Sequence, residues 1–254
     1  MPTKVAILDL LCEREVYGPK GNAAAMRPFG EVDILALNPQ LPSLEGWQSE
    51  GDWGGLPFHR VPMPSDVEAW FDDGVAALII SGSRSNLTMH ESWMDEAADF
   101  VRRAVEHGVP TLGICFGHQL LAAAFGGRLQ RAENGFHDIS TLLLTSKGEG
   151  DPLFEACERP PQVVFTHQDQ VVEIPGRFQL LAEAEHVGIA AFRICDEEGV
   201  PLPAWGVQFH PESTAEICRY ASQVEDMPFK EDDPRIEKLA GERILANFAE
   251  LSLV

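Results

Sequence analysis

Two segments of this chain carry residue types that do chemistry together. The first is Thr111-Leu112-Gly113-Ile114-Cys115-Phe116-Gly117-His118-Gln119, where an apolar strand-like run meets a helix-like one through Gly-x-Cys-x-Gly. This pattern follows the logic of a nucleophile elbow, in which a sharp strand-to-helix turn lifts the nucleophile to the tip of the strand in a strained backbone conformation. Gly113 and Gly117 remove side chains that would collide across such a turn. Cys115 then opens a helix, where the dipole and free N–H groups favour a thiolate. The Phe116 N–H would face a substrate carbonyl as an oxyanion donor. On these residues alone, a buried structural cysteine is the open alternative.

A thiol nucleophile needs a base, and the base needs an orienter. The second segment, Ala204-Trp205-Gly206-Val207-Gln208-Phe209-His210-Pro211-Glu212, supplies both. An apolar strand ends at His210, Pro211 stops it, and Glu212 follows two residues later, so both side chains can project from one strand end. The other readings are a structural histidine and a carboxylate placed at the start of a helix near Ala215.

These segments need a scaffold, and the rest of the chain describes one. Lys4–Leu11, Val32–Leu37, Val75–Ser81 and Val109–Ile114 are apolar runs of strand length. Between the last two, Glu91–Glu106 has helical periodicity through Trp93, Ala97, Phe100, Val101 and Ala104. Alternating strands and helices with fully apolar strands predict an α/β fold: a mainly parallel central sheet with helices on both faces. Thr141–Leu144, Val163–Thr166, Gln179–Glu183, Ala190–Ile194 and Ala204–Phe209 are short strand candidates separated by turns, so antiparallel pairing is expected in the second half. Ile236–Leu251 reads as one C-terminal helix packed on the sheet. Pro39–Pro64, rich in Pro, Gly and Trp, reads as a lid or binding loop, with ordinary packing the default for Trp47, Trp53 and Trp70. Val224–Pro234 reads as an exposed acidic connector. One domain, 1–254, with an elaborated edge is expected.

Composition narrows the function. The chain has 254 residues, 44% hydrophobic and 23% charged, with 19 Lys+Arg against 40 Asp+Glu for a net charge of −21. Such a surface repels phosphate backbones and anionic lipid, so neither nucleic acid nor a membrane is an expected partner. The longest apolar runs, such as Val75–Ile80, fall far short of the roughly 18 residues of a membrane helix. Val5–Leu8, broken by Asp9, is too short for a signal-peptide core. The five cysteines are scattered and form no CxxC pair, so the reading is a cytoplasmic protein without a disulfide framework. No metal and no cofactor are expected.

Gly113 to Gln119 and Gly206 to Glu212 resemble the two signature segments of class I, triad-type glutamine amidotransferases. The order Cys, His, Glu fits, as does the apolar strand ending in Ser81-Gly82-Ser83. Thr166-His167-Gln168-Asp169-Gln170-Val171 is similar to the corresponding stretch in the amidotransferase domain of GMP synthase. The resemblance implies a flavodoxin-like class I amidotransferase fold, with Cys115 as nucleophile, His210 as base and Glu212 as orienter. It implies oxyanion N–H groups from Gly82 and Phe116, and substrate contacts from Ser81, Ser83 and Gln119. The implied activity is hydrolysis of the glutamine side-chain amide through a cysteinyl thioester, releasing ammonia to a separate acceptor synthase.

Two departures bear on that reading. The family's oxyanion loop usually reads Ser-Gly-Gly-Pro, whereas this chain has Ser81-Gly82-Ser83-Arg84. The Cβ of Ser83 restricts any turning of that peptide. Arg84 either receives a substrate carboxylate at the mouth or is an exposed residue paired with local acids. Nothing in the chain resembles a synthase. A free-standing γ-glutamyl amide or peptide hydrolase using the same triad is therefore the alternative, and a non-catalytic regulatory protein on this scaffold is the third reading.

Overall fold

The computed structural model describes residues 3–11, 16–41, 45 and 48–253. Its first strand, β1 (Lys4–Leu8), explains the scaffold in miniature. Val5 and Ile7 enter one hydrophobic cluster while Ala6 and Leu8 enter another, and all four are fully buried. Successive side chains on a strand point to opposite faces, so a strand apolar at every position must be covered on both.

The chain then builds the sheet outward in both directions. After α1 (Tyr17–Met26), β2 (Asp33–Leu37) lies parallel to β1. β3 (Glu50–Asp52) and β4 (Pro57–Val61) extend that side, β4 parallel to β2 and β3 antiparallel at the edge. α2 (Val67–Asp72) leads to β5 (Val75–Ile80), parallel to β1 on its other flank. α3 (Ser92–Glu106) leads to β6 (Thr111–Ile114), parallel to β5, and β6 runs directly into α4 (Phe116–Ala124).

In the second half come β7 (Arg128–Thr141), β8 (Leu143–Leu144), α5 (Ser146–Glu149) and β9 (Gln162–Glu173). β10 (Phe178–Ala184), β11 (Val187–Cys195) and β12 (Pro201–Val207) follow, then α6 (Ala215–Gln223) and α7 (Gly241–Ser252). The ten-stranded sheet has the order β3-β4-β2-β1-β5-β6-β12-β11-β10-β8. From β4 to β12 the pairing is parallel, and from β12 to β8 it is antiparallel. The turn-rich second half is antiparallel, as its short separated strands predict. β7 and β9 form a separate two-stranded ribbon.

Helices cover both faces. Met26 of α1 and Ile244, Leu245 and Phe248 of α7 join the cluster of Val5 and Ile7. Phe71 of α2, six residues of α3 and Leu120 and Leu121 of α4 join the cluster of Ala6 and Leu8. The periodic positions Ala97, Phe100, Val101 and Ala104 are all buried.

Several elements differ from the sequence expectation. Pro39–Pro64 is not a lid over its described part: it supplies β3 and β4. Trp53 is buried there and stacks on Phe58 with ring centroids 4.1 Å apart. The stack fits because Gly51 faces it; a Cβ at that position would lie 2.3 Å from Phe58 Cζ. Trp70 packs on Phe71 and Phe100, and Trp47 lies outside the described residues.

The last helix is broken. Ile236–Lys238 form a 3₁₀ turn, Leu239 is extended, and α7 starts at Gly241, whose approach to Pro211 O leaves no room for a side chain. The Val224–Pro234 connector carries a buried anchor, Phe229, packed with Ile139, Val164, Cys218 and Ile236. α1 has no signal in the sequence, because its Gly-, Ala- and Pro-containing run lacks an apolar period and has poor helix propensity. It forms where its small residues pack closely on the sheet.

If β3 and β4 are a packed sheet edge, Trp53→Ala should destabilise the protein by about 3 kcal/mol, as large aromatic truncations in cores do. Urea unfolding checks this, and an unchanged midpoint would point back to a mobile lid.

Candidate active site

Cys115 is the single residue between β6 and α4, and its backbone sits at φ 51°, ψ −99°. A side chain in that region costs on the order of 1–3 kcal/mol and persists only when its surroundings over-determine it. Here they do. The Cys115 N–H donates to Val207 O of β12 (2.8 Å), and the Gln119 N–H donates to Cys115 O (3.1 Å). A Cβ on Gly113 would lie 2.4 Å from Gly117 O, and one on Gly117 would lie 2.3 Å from Ile80 O. Strand, turn and helix therefore nest at backbone contact. The thiol stands where α4 begins, and the first N–H groups of a helix have no intrahelical acceptor.

His210 reaches this turn from the end of β12. Its N–H donates to Val164 O of β9 (2.8 Å), its Nδ1 lies 2.7 Å from Glu212 Oε1, and its Nε2 lies 3.3 Å from Thr166 O. Burial opposes charge on His210. Glu212 and then Cys115 oppose that effect, and together they hold the imidazole pKa well above its ordinary value. Glu212 is buried, and α1 closes over it: a Cβ on Gly21 would stand 3.3 Å from Glu212 Cγ. The Cys115 Sγ lies 3.6 Å from Thr166 O and 3.7 Å from Gln208 Nε2.

Gly82, just beyond β5, closes the third side. A Cβ there would lie 3.2 Å from His210 Cε1 and 3.9 Å from Cys115 Cβ, so the backbone passes against both. Ser81 is buried, with its hydroxyl accepting the Leu10 N–H (2.9 Å) and donating to Gly82 O (3.0 Å). It braces the loop from behind. Ser83 Oγ accepts from the Ser85 N–H and from Gln40 Nε2, both at 3.2 Å. Further along, the Thr88 N–H and Oγ1 both donate to the buried Asp169 carboxylate at 2.8 Å, which clamps the loop to β9. Gln119 Nε2 donates to Asp169 O (2.7 Å) and to Gln208 Oε1 (3.2 Å).

The structure thus brings Cys115, His210, Glu212, Gly82, Phe116, Ser83 and Gln119 around one cavity of about 420 Å³, with Arg84 also on its wall. Ser81 lies behind that wall. His118 belongs to the core: fully buried, 4.6 Å from the Phe192 ring, its pKa pushed down to about 3 by burial. Burial likewise pushes His167 down to about 4. Among the described residues, no group of His, Cys, Asp or Glu could hold a metal ion, and no helix is long and apolar enough to cross a membrane.

Three contributors escape the sequence reading: Gln208, the Thr166 carbonyl and Thr88. Gln208 lies just past the end of β12, two residues before His210 and inside the second segment singled out above. A carbonyl oxygen leaves no side-chain signal, and Thr88 sits in a loop with no periodicity.

Residues 55–219 match the family model for glutamine amidotransferase class-I. Over 107 residues the chain is 41% identical to a glutamine-hydrolyzing GMP synthase subunit of Pyrococcus abyssi, a match covering 42% of this chain and 53% of that one. Over 192 residues it is 35% identical to the glutamine-hydrolyzing GMP synthase of Corynebacterium jeikeium, covering 75% of this chain and 33% of the relative. The chain therefore spans about half the length of the archaeal subunit and a third of the larger synthase. A solved glutamine amidotransferase from Thermotoga maritima shares the fold, with TM-score 0.68, 18% identity, and coverage of 99% of this chain and 98% of that one. The elbow, the strand-end histidine and the matched span place this chain in the class I glutamine amidotransferase family.

Proposed function

We propose that residues 1–254 act as one catalytic unit that hydrolyses the side-chain amide of glutamine with Cys115 as nucleophile. The observation that carries this reading is the strained Cys115 turn set against a buried His210–Glu212 pair. His210 takes the proton of the Cys115 thiol as the sulfur attacks the γ-carbonyl carbon, and the carbonyl oxygen takes the negative charge. Backbone N–H groups of Gly82 and Phe116 receive it, as preorganised donors do in oxyanion holes. His210, charged under the influence of Glu212 and Cys115, gives its proton to the leaving nitrogen as the C–N bond breaks. Ammonia leaves and a glutamyl thioester remains. Water, deprotonated by His210, then cleaves the thioester to glutamate and the free thiol.

Relatives that are GMP synthase subunits support a separate synthase chain as the acceptor of the ammonia. The described cysteines are free thiols, which fits a reducing cytoplasm.

A glutamine-like electrophile should modify Cys115 and spare the other described cysteines. Burial raises the thiol pKa of Cys157 and Cys195 and pushes that of Cys218 up to about 12, which suppresses their thiolates. Mass spectrometry of the labelled protein reads the site, and equal modification of all would overturn the assignment. Cys115→Ala should abolish glutamate release in the same assay.

Glu212→Gln removes a negative charge that raises the His210 pKa, so the imidazole should titrate at lower pH in the variant. NMR of the ring protons measures the midpoint, and kcat should fall by about a hundredfold as the base loses its orienter. An unmoved or higher midpoint would show that Glu212 does not govern His210.

A further inference from the structure

Along β9 the cavity wall runs from Asp169, whose carbonyl Gln119 contacts, through Thr166 beside His210 to Val164. On that side its described lining is mostly apolar: Val164, Ile217, Ala221, Met227 and Phe229, with Tyr17 at the rim. The placement follows from the chain path. Thr214 accepts the Ile217 N–H and starts α6 two residues after Glu212. Ile217 and Ala221 are then one turn apart on the same helix face. Val164 is two residues before Thr166 on β9, so both face the site. α1 roofs the space: Tyr17 packs on Tyr220 with ring centroids 5.9 Å apart, and its hydroxyl donates to Asp226 Oδ2 (2.6 Å). An amino acid fills only part of the roughly 420 Å³ available.

The chemistry determines what would enter this annex. The proton donor to the leaving nitrogen must face that nitrogen, and His210, whose backbone N–H donates to Val164 O, stands beside the apolar lining. A substituent on the amide nitrogen therefore points away from the glutamyl side and into the apolar space. Among the described lining residues, the charged side chain next to Met227 is a carboxylate, Asp226, and the arginine, Arg84, follows Ser83 in the loop after β5. An anionic substituent meets no cation among the described annex residues.

Resting on the proposed amidase activity, we infer that the site also takes γ-glutamyl amides whose nitrogen carries an alkyl or aryl group, with the annex as the leaving-amine pocket. The step balances as for glutamine: the C–N bond breaks, the nitrogen receives the His210 proton, a primary amine departs, and water then releases glutamate from the thioester.

The test compares kcat/KM for glutamine, γ-glutamyl methylamide, butylamide and benzylamide, and γ-glutamylglycine with the full chain. Turnover should rise by about tenfold or more from methylamide to benzylamide, as apolar groups gain in a fitting pocket, and γ-glutamylglycine should be the poorest of the substituted amides. Ala221→Phe should lower the benzylamide-to-glutamine ratio by about tenfold, in line with the same pocket sensitivity. Met227→Ala, on the connector, should shift the preference toward a larger amine such as phenethylamide. Hydrolysis of glutamine with no turnover of N-substituted amides would overturn the annex and leave the amidase reading intact. Ratios unmoved by both variants would overturn it equally. Failure to hydrolyse any of the amides, glutamine included, would overturn both.

Discussion

The turn at Cys115 exists because Ile80, Gly113, Gly117 and Val207 leave the backbone no other course. β5 presses a carbonyl against the first turn of α4, β6 presses its last glycine against the same turn, and β12 takes the Cys115 N–H. The strain of a left-handed cysteine is thus held by contacts from three neighbouring parallel strands and one helix. Close packing makes this possible, since interiors at crystal-like density transmit rather than absorb a misfit. Relaxing any of these contacts would let φ return to an ordinary value and swing the thiol away from His210.

The other half of the site depends on a strand outside the main sheet. β9 takes the His210 N–H on Val164 O, offers Thr166 O to both the thiol and the imidazole, and holds Thr88 through Asp169. One strand therefore aligns His210, lies beside Cys115 and anchors the loop after Gly82. Buried polar groups are costly when left unpaired, and here many are answered by the backbone of β9 or by Gln119 and Gln208.

The parallel core was readable because Val5–Leu8, Ile34–Leu37 and Val75–Ile80 are uninterrupted apolar runs of strand length, and the helix over Glu91–Glu106 because its apolar residues recur at helical spacing. The elbow was readable because two glycines flanking a cysteine have one simple geometric use, and the backbone angles of Cys115 agree with it. Other features leave no local trace. β3 and β4 are short strands at one end of the sheet, packed by Trp53 on Phe58, a contact made in space. α1 is helical by packing against propensity. The break before α7 is set by Gly241 meeting Pro211, and no helical period announces it. Phe229 reads as part of an acidic connector because its segment is rich in acids and broken by prolines, whereas its neighbours in the fold are Ile139, Val164 and Cys218.

The hydrogen bond from Cys115 to Val207 also carries a consequence for the order of assembly. Its partners lie far apart in sequence, and contacts of such separation form late because their loop-closure entropy is met only once the intervening chain is in place. On a ribosome, β1, β5 and β6 can align while β12 is still unmade, and β6 then has an open edge where Cys115 has neither its backbone acceptor nor His210. The surroundings of Cys115 change in one step, when β12 docks beside β6 and brings Val207 O, His210 and Glu212 together, so the proposed triad is assembled only once the second half of the chain is in place.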